Sequence, residues 1–421
     1  MIRQFVCAFT IVLFSSSMLM SADWLAFRGA DGNSKSPDTG LLKEWSRGGP
    51  KLLWQVDFIG PGFSGVSISG DRIYINGNAT RNGQERTMVF CLDKDGKLIW
   101  ETDNGPAHTG SYPGTRGMPT IDGDFVYDAS PLGEIACFDA KTGEKKWSRN
   151  IMTDFDAPRP NWFFGHSVIV DGDNVITPVG GARHVAVAMN KRTGETVWTA
   201  APATGGAPAS YTTPYMFEFE GIRVVVVMSN VTVEGLDPAT GKTLFTIPWR
   251  NQRNVHCTMP IYHNDHLFLS TGYDGGMARL FQLTKNANGT ISATEVWVES
   301  RFNNHHGGVV LVGGQVYGTN HDGAWCSINF MTGEIGYIFR DPRSPAGKGA
   351  VHYADGMLYG LTERDRTVLL IRPEPKEFVL VSSFDLPNEA AGMSWAHPVV
   401  LNGRMYLRHA QYLYCYDVKG E

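Results

Sequence analysis

The sequence predicts an all-β fold, an eight-bladed propeller of four-stranded antiparallel sheets. Three observations predict it: a hairpin motif that recurs along the chain, the regular spacing of that motif, and two half-motifs far apart in the sequence. A period of about 40 to 50 residues is typical of propeller blades. The 48 glycines and short apolar runs in a chain of 421 residues agree with many strands joined by turns.

The hairpin motif is clearest between Cys137 and Trp147, which read C-F-D-A-K-T-G-E-K-K-W. Asp139 can accept hydrogen bonds from turn amides, and Gly143 can adopt the positive φ that a tight turn needs. Trp147 supplies a large apolar anchor on the returning strand. One hairpin is marginal alone, so its repetition is informative. Versions of the motif occupy Cys91 to Trp100, Ala188 to Trp198, Gly235 to Phe245 and Ser327 to Tyr337.

The spacing of the bulky residue that closes each repeat predicts eight blades. Successive members lie 40 to 52 residues apart. The series is Trp54, Trp100, Trp147, Trp198, Phe245, Trp297, Tyr337 and a degenerate Val379. A second signature, an apolar strand followed by a polar turn and another strand, also occurs eight times. It begins at Ser64, Gly117, His166, Thr212, Thr258, Gly307, Gly349 and Ala396.

The half-motifs predict how the ring closes. Residues 415–421 contain only the first half of the hairpin, and the missing half matches Lys51 to Trp54. We therefore expect the first strand to complete the last blade, which removes an open sheet edge. Residues 23–49 are then expected to be an extended leader on the outside of the ring. One domain accounts for residues 23–421.

The first 22 residues are predicted to be a signal peptide. Arg3 gives a positive start, residues 5–19 are apolar or small, and Ser21 and Ala22 suit cleavage before Asp23. The alternative is an uncleaved N-terminal anchor. No later segment is long and apolar enough for a membrane span. The mature chain is therefore expected to be secreted, in the periplasm or at the cell surface of a bacterium.

Charge and cysteine content argue against a nucleic-acid-binding protein and against a protein held together by disulfide bridges. The net charge of −5 gives no sign of a nucleic-acid partner. Four of the five cysteines after the leader share one repeat position on separate sheets, which pack about 10 Å apart. A disulfide needs Cα atoms within about 7 Å, so we expect small buried residues and not bridges. The mature protein is expected to be a monomer.

The hairpin D-A-K-T-G-E-K-K-W resembles the tryptophan-docking repeat of the PQQ-like β-propellers, the quinoprotein alcohol dehydrogenase-like superfamily. The segments W-L-A-F-R-G from Trp24 and G-T-R-G-M-P-T-I-D-G-D from Gly114 are similar to those of its secreted bacterial members, and the resemblance covers residues 23–421. The superfamily contains PQQ-dependent dehydrogenases and a non-enzymatic propeller of outer-membrane assembly, so the fold does not determine the function. The resemblance implies docking roles for Trp54, Trp100, Trp147, Trp198 and Trp297.

The resemblance also implies that a ligand binds at the mouth of the central channel, next to the residues that precede each innermost strand. Near-identical blades present eight different side chains at this level: Phe63, Arg116, Gly165, Tyr211, Cys257, His306, Lys348 and Trp395. Cationic, imidazole and aromatic groups suit an anionic, planar or sugar-like ligand. The alternative is that ordinary loop residues fill a narrow channel. The predicted ligand-binding residues are Arg116, His166, Tyr211, His256, His305, His306, Lys348, Trp395 and His397.

The loops between the second and third strands of the blades offer further candidates, namely His184, Tyr273, Asp274, His321, Asp322, Glu363 and His409. The run from Asn304 to His306 could face His321 and Asp322, and two imidazoles with a carboxylate suit a transition metal. The spacing matches no tight metal motif, so no metal site is predicted.

Two functions are compatible with this pattern. The leading hypothesis is a binding module that takes a small-molecule or protein ligand at the channel mouth. The alternative is a quinoprotein-type oxidoreductase that uses PQQ there. The resemblance implies that such enzymes carry a vicinal disulfide, an Asp base, and a Ca²⁺ ion held by Glu, Asn and Asp. This chain has no adjacent cysteine pair and no C-x-x-C-H haem motif, so cofactor and catalytic residues are left unassigned. Arg116 and Lys348 could neutralise the carboxylates of PQQ.

Overall fold

The computed structural model describes residues 22–387 and 390–420, which form eight four-stranded antiparallel sheets arranged as a propeller. The predicted fold class is therefore confirmed. The predicted signal peptide lies outside the described residues apart from Ala22. Within the described ranges, no helix is long and apolar enough to cross a membrane.

The strands follow the order of the chain, and each blade begins with its innermost strand. The first strand, β1 (Lys51–Val56), belongs to the last blade. Blades 1 and 2 contain β2 (Ser67–Ser69), β3 (Arg72–Arg81), β4 (Gln84–Asp93), β5 (Leu98–Pro106), β6 (Thr120–Asp122), β7 (Phe125–Ala129), β8 (Glu134–Asp139) and β9 (Lys145–Asn150). A short helix, α1 (Ile151–Phe155), follows β9. Blades 3 and 4 contain β10 (Ile169–Asp171), β11 (Asn174–Pro178), β12 (Ala186–Asn190), β13 (Thr196–Ala200), β14 (Tyr215–Phe219), β15 (Ile222–Met228), β16 (Thr232–Leu236) and β17 (Thr243–Pro248).

The second half of the ring repeats the arrangement. Blades 5 and 6 contain β18 (Ile261–His263), β19 (His266–Thr271), β20 (Met277–Lys285), β21 (Ile291–Glu299), β22 (Asn304–Val312), β23 (Gln315–Asn320), β24 (Trp325–Asn329) and β25 (Ile335–Phe339). Blades 7 and 8 contain β26 (Gly349–Ala354), β27 (Met357–Thr362), β28 (Thr367–Pro373), β29 (Phe378–Asp385), β30 (Val399–Leu401), β31 (Arg404–His409) and β32 (Tyr412–Asp417), with β1 as the fourth strand of blade 8.

The recurring hairpin joins the third and fourth strands of a blade and also links that blade to its neighbour. In blade 2, Asp139 Oδ1 accepts hydrogen bonds from the amides of Lys141 at 3.0 Å and Thr142 at 2.9 Å. Gly143 has a φ of +74°, and a Cβ at this position would lie 2.6 Å from the indole of Trp100 in blade 1. The turn therefore needs glycine for its backbone conformation and for the approach of the tryptophan.

All five predicted docking tryptophans make this contact with the next turn. Each indole Nε1 donates a hydrogen bond to a turn carbonyl of the adjacent blade. The pairs are Trp54 with Lys94 (2.9 Å), Trp100 with Ala140 (3.1 Å), Trp147 with Lys191 (3.0 Å), Trp198 with Pro238 (3.0 Å) and Trp297 with Phe330 (3.1 Å). In blade 7 a register shift puts Ser382 at this position instead of Val379.

The closing pair of strands is the predicted one. β1 pairs antiparallel with β32, with Lys51 opposite Asp417 and Trp54 opposite Cys415. The five described cysteines are free thiols, as expected. Cys326 lies opposite Ile338 and does not share the repeat position of Cys91, Cys137 and Cys415. Cys137, for example, lies opposite Trp147.

The prediction that residues 23–49 lie on the outside of the ring is wrong for residues 24–36, whereas Trp45 does lie against Ser382 of β29, the outermost strand of blade 7. Trp24 forms two 2.8 Å backbone hydrogen bonds with Ile68 of β2, and only 3% of its surface is exposed. The carbonyl of Leu25 accepts from the amide of Ile121 in β6 at 2.8 Å. The leader therefore pairs with innermost strands, whose inner edges face the channel.

From blades 1 and 2 the leader continues across the channel to blades 6 and 7. Arg28 is buried and donates to the carbonyl of Val309 in β22. The Ser36 amide donates to the carbonyl of Tyr353 in β26 at 2.8 Å. A chain that crosses here can form hydrogen bonds with backbone N–H and C=O groups on strand edges that would otherwise be unpaired. The leader is therefore a plug across the channel.

Candidate functional site

A cavity of about 320 Å³ lies on the side of the plug where the innermost strands begin. We call it the channel-mouth cavity. All eight residues of the predicted pre-strand series line it: Phe63, Arg116, Gly165, Tyr211, Cys257, His306, Lys348 and Trp395. The same repeat position in every blade thus converges on one cavity, while the ligand-binding role of these residues stays a prediction.

The alternation of side chains along an extended chain determines which neighbours join this series. Residues two positions apart share a face, whereas adjacent residues point to opposite faces. Accordingly, both members of each pair Gly165 and Ser167, Tyr211 and Thr213, Val255 and Cys257, and Trp395 and His397 line the cavity.

His166 and His256 do not line the cavity, because they are adjacent to the wall positions Gly165 and Cys257 and point the other way. Both are almost fully buried. His166 Nε2 lies 3.1 Å from Thr177 Oγ1, and His256 Nδ1 lies 2.9 Å from Thr271 Oγ1. The expectation that these two histidines face the mouth is corrected: they are hydrogen-bonded inside the blades.

His305 and His306 both reach the cavity although they are adjacent. The pairing of β22 with β23 is irregular between Asn304 and Val309, and such a bulge re-aims side chains. Among the loop candidates, Tyr273, His321 and Glu363 also line the cavity, whereas His184, Asp274, Asp322 and His409 are not among its lining residues.

Sequence reasoning missed three aromatic residues of the wall: Phe27, Tyr112 and Trp162. Phe27 belongs to the leader and packs edge-on against His397 at 5.0 Å between ring centres, so it forms the floor. Tyr112 and Trp162 come from the long loops between blades 1 and 2 and between blades 2 and 3. A long inter-blade loop that carries aromatic residues was the available signal for these two.

Glu363 is the centre of a hydrogen-bonded group in the wall. Its carboxylate lies 2.9 Å from Lys348 Nζ, accepts from Trp395 Nε1 at 3.0 Å, and lies 3.4 Å from His306 Nε2. Burial alone would raise the pKa of the Glu363 carboxyl. Hydrogen bonds from His306, Trp395 and Lys348 outweigh burial and lower that pKa well below its usual range. Glu363 is therefore an anion whose charge is matched by Lys348.

Arg116 is the cation of the cavity wall that has no carboxylate partner among the described residues. Its guanidinium donates to the carbonyls of Gly114 at 3.2 Å and Tyr112 at 2.9 Å, and it lies 5.8 Å from the centre of the Phe63 ring. Burial lowers its pKa to about 10, so it is still protonated at neutral pH. With Lys348 and Glu363 paired, the described wall carries one unmatched positive charge.

The imidazoles of the wall are neutral at pH 7. Burial is the main cause that lowers the pKa values of His305, His306 and His321, and nearby Lys348 adds to it. Burial also raises the pKa of the Cys257 thiol to about 12. A neutral imidazole offers one donor and one acceptor, whereas a protonated thiol is a poor nucleophile.

The wall does not fit the Ca²⁺–PQQ site that the family resemblance implies. Glu363 is the only carboxylate among the described lining residues, neither Asp nor Asn lines the cavity, and Cys257 has no cysteine neighbour. Glu363 already has Lys348 as its counter-ion. Within residues 22–387 and 390–420, no group of three or more His, Cys, Asp or Glu side chains is arranged to hold a metal ion.

Comparison with known proteins identifies related sequences. A family profile described as outer membrane protein assembly factor BamB matches residues 38–158 and 133–379. Among curated proteins, the chain is similar to outer membrane protein assembly factor BamB of Burkholderia pseudomallei (strain K96243), with 29% identity over 127 residues. That match spans 29% of this chain and 29% of the relative, which is less than a third of its length.

Solved structures share the fold at low sequence identity. BamB from Moraxella catarrhalis superposes with a TM-score of 0.59 and 14% identity, covering 87% of this chain and 99% of that chain. Quinohemoprotein alcohol dehydrogenase from Comamonas testosteroni gives a TM-score of 0.63 and 12% identity, covering 95% of this chain and 81% of that chain. At these identities the similarity establishes the fold alone.

Proposed function

Since this chain belongs to the family of PQQ-like β-propellers described as outer membrane protein assembly factor BamB, its fold leaves the function open, and we propose that it is a binding module for a small anionic, ring-bearing ligand in the channel-mouth cavity. The observation that carries this proposal is the unmatched charge of Arg116 in a wall rich in aromatic and neutral imidazole groups, where the other charged residues, Lys348 and Glu363, are paired with each other. A partly buried cation without a counter-ion is costly, and an anionic ligand would supply the missing partner.

The shape of the cavity supports the same proposal. Its volume lies at the small end of the range for ligand pockets, and Phe27 closes one end. Aromatic side chains around an oriented cation are a common arrangement for holding a charged ring compound.

A binding experiment on the full chain tests the proposal. The probes are benzoate and D-glucuronate, each compared with a neutral partner, benzamide and D-glucose respectively. Binding is followed by the fluorescence of the wall residues Trp162 and Trp395 and by calorimetry. We expect at least one anion to bind about tenfold or more tightly than its neutral partner. We also expect Arg116→Met to remove the difference and Arg343→Met, at an exposed arginine, to preserve it.

The contradicting result is equally clear. If neither anion binds more tightly than its neutral partner, the proposal is wrong. PQQ is tested in the same way with and without Ca²⁺. The described wall offers no calcium ligand set, so we expect no PQQ binding that requires Ca²⁺. Saturable PQQ binding that requires Ca²⁺ would instead favour the oxidoreductase alternative.

A second candidate function, protein binding in outer membrane assembly, is supported by the family description and by the rim of the propeller. The outermost strands expose Val197, Val296 and Val298 at about half of their surface. Exposed apolar groups can contribute to a protein interface. Binding of a urea-denatured outer membrane protein to the wild type and to the Val296→Lys, Val298→Lys variant tests this role, which is contradicted if the two proteins bind it equally.

A further inference from the structure

We propose that the ligand of the channel-mouth cavity is an acidic sugar, a pyranose ring that carries one carboxylate and several free hydroxyls. This inference rests on the proposed function and narrows it from any anionic ring compound to one chemical class. Three observations support it: unpartnered imidazole nitrogens, the inclination of the aromatic rings, and the single unmatched positive charge.

The first observation is that three wall histidines have a shielded ring nitrogen without a hydrogen-bond partner in the described part of the chain. These atoms are the Nδ1 nitrogens of His306, His321 and His397. His397 is only 8% exposed, and its other nitrogen, Nε2, lies 3.1 Å from the carbonyl oxygen of His306. Buried polar atoms in folded proteins are nearly always satisfied. Since these three residues line the cavity, a polar occupant would satisfy the shielded nitrogens once the rings turn toward it.

Hydroxyl groups match these atoms better than a single carboxylate does. A neutral imidazole nitrogen is either a donor or an acceptor, depending on the tautomer. A hydroxyl can donate to one and accept from the other, so several hydroxyls on one ring can satisfy several imidazoles whichever tautomers they adopt. A hydroxyl-free ring acid would leave the Nδ1 nitrogens of His306 and His397 without a partner in a dry environment, which costs free energy.

The second observation is that adjacent rings of the wall are inclined to one another. The ring planes of Phe63 and Trp395 differ by 36°, those of Tyr112 and Trp395 by 43°, and those of His306 and Trp395 by 46°. Rings inclined by these angles do not form a slot with parallel sides. A puckered sugar ring presents C–H groups to several inclined aromatic faces, each of which carries partial negative charge. A flat fused ring system would contact only one of these faces well.

The third observation is the charge balance. Lys348 and Glu363 neutralise one another at 2.9 Å, which leaves the guanidinium of Arg116 as the unmatched charge of the described wall. A single carboxylate neutralises it and can accept two parallel hydrogen bonds from its fork of donors. A ligand with more negative charges would leave some of them unmatched.

The experiment separates this inference from the proposed function. The full chain is titrated with D-glucuronate and D-galacturonate, with the parent hexoses D-glucose and D-galactose, and with cyclohexanecarboxylate, which has the charge and the puckered ring without hydroxyls. Calorimetry gives the affinities. We expect at least one uronate to bind about tenfold or more tightly than its parent hexose and than cyclohexanecarboxylate.

Two variants assign the contributions of charge and hydroxyls. Arg116→Met should bring the uronate to the affinity of its parent hexose. His306→Phe, which keeps a planar ring, should weaken uronate and hexose alike but leave cyclohexanecarboxylate unchanged. Arg343→Met is the control for a general effect of losing an arginine.

The outcomes are distinguishable. If cyclohexanecarboxylate or benzoate binds as tightly as the better uronate, the acidic-sugar inference is overturned while anion binding stands. If no anion in the panel binds more tightly than its neutral partner, both proposals fail. A uronate preference that survives Arg116→Met would overturn the role of Arg116 in this inference.

Discussion

The guanidinium of Arg116 lies over the ring of Phe63 at 5.8 Å, and both residues precede the innermost strands of adjacent blades. The contact replaces the carboxylate that a buried cation usually has. Arg116 therefore adds to the free energy of binding an anion and subtracts from the stability of the unliganded fold.

Arg116→Met is expected to raise the stability of the unliganded protein slightly. Methionine has a similar length and no charge. The variant therefore avoids the cost of desolvating the guanidinium and keeps most of the packing of the side chain. We expect the free energy of unfolding to rise by about 1 kcal/mol, whereas anion binding is lost. Chemical denaturation measures the first effect and calorimetry the second. A marked loss of stability would contradict the assignment of Arg116 as a binding residue.

Gly143→Ala is expected to destabilise the protein more than Gly123→Ala. Both glycines have positive φ, +74° and +57°, so each substitution carries a backbone cost of about 1 to 2 kcal/mol. A Cβ on Gly123 would meet open space, whereas one on Gly143 would lie 2.6 Å from the indole of Trp100.

We therefore expect Gly143→Ala to cost about 2 kcal/mol more than Gly123→Ala in denaturant unfolding, since the tryptophan must shift. Equal losses of unfolding free energy in the two variants would show that the docking contact between blades contributes little to stability. The comparison is informative because both glycines have a positive φ, whereas only a Cβ at Gly143 would meet a tryptophan.

Glu363→Gln is expected to destabilise the protein at neutral pH by about 2 to 4 kcal/mol, because it leaves Lys348 as an unpaired cation in the wall. The folded-state pKa of Glu363 is lowered, so its contribution is fully present above the unfolded pKa of about 4.3 and is lost as the pH falls below that value.

The difference in melting temperature between the wild type and Glu363→Gln should therefore shrink between about pH 5 and pH 2.5. Glu334→Gln is the matched control, because Glu334 pairs with Lys376 on the surface. If this difference in melting temperature stays constant across the pH range, the ion pair between Glu363 and Lys348 is not what makes the wild type more stable.

His352→Gln is expected to make the protein less sensitive to acid. His352 is fully buried against Trp24 and near Arg28 and His397, and burial lowers its pKa to about 3. The unfolded imidazole has a pKa of about 6.5, so the unfolded state binds an extra proton between these values and stability falls as the pH drops below 6.5.

Replacing this group should recover about 2 kcal/mol of that loss at pH 5. The measurement compares the drop in unfolding free energy from pH 7 to pH 5 in the variant and the wild type. His266→Gln, at a half-buried position on blade 5, is the control. Equal drops in all three proteins would contradict a neutral His352.

Phe27→Ala is expected to weaken ligand binding by about tenfold, because it removes the floor of the cavity and admits water beneath the ligand. Phe58→Ala is the control, since Phe58 is exposed and packs against Phe90 away from the cavity. Affinity for D-glucuronate or benzoate is measured by calorimetry. Unchanged affinity in Phe27→Ala would indicate that the ligand does not reach the plug.

The repeated part of the fold could be predicted in detail because repetition reveals register. Trp54 and Cys415 were paired from half-motifs alone, and they lie opposite one another in the sheet. The pre-strand series was predicted in the same way, since a position that varies in a constant repeat is not fixed by the blade. The expectation that His256 faces the channel mouth is wrong, because successive side chains of an extended chain point to opposite faces and His256 is next to the wall residue Cys257.

The unrepeated part could not be predicted from spacing. Residues 23–49 have no internal copy to set their register, so the crossing of the channel by Trp24 and Arg28 depends on tertiary contacts alone. Tyr112 and Trp162 come from loops of individual length, and their approach to the cavity follows from how those loops fold. Sequence periodicity therefore predicts the ring and the pre-strand residues of the cavity wall. It does not predict the floor of the cavity or the wall residues that come from the inter-blade loops.

The pairing of β1 with β32 also constrains the order in which the protein folds. During synthesis, the strand Lys51–Val56 emerges before all the other strands and has to wait until β32 (Tyr412–Asp417) has left the ribosome. Joining segments so distant in the chain is slow, and until then blade 8 has an exposed side that other chains can join. Nascent or truncated chains are therefore the species in which chaperone protection matters most.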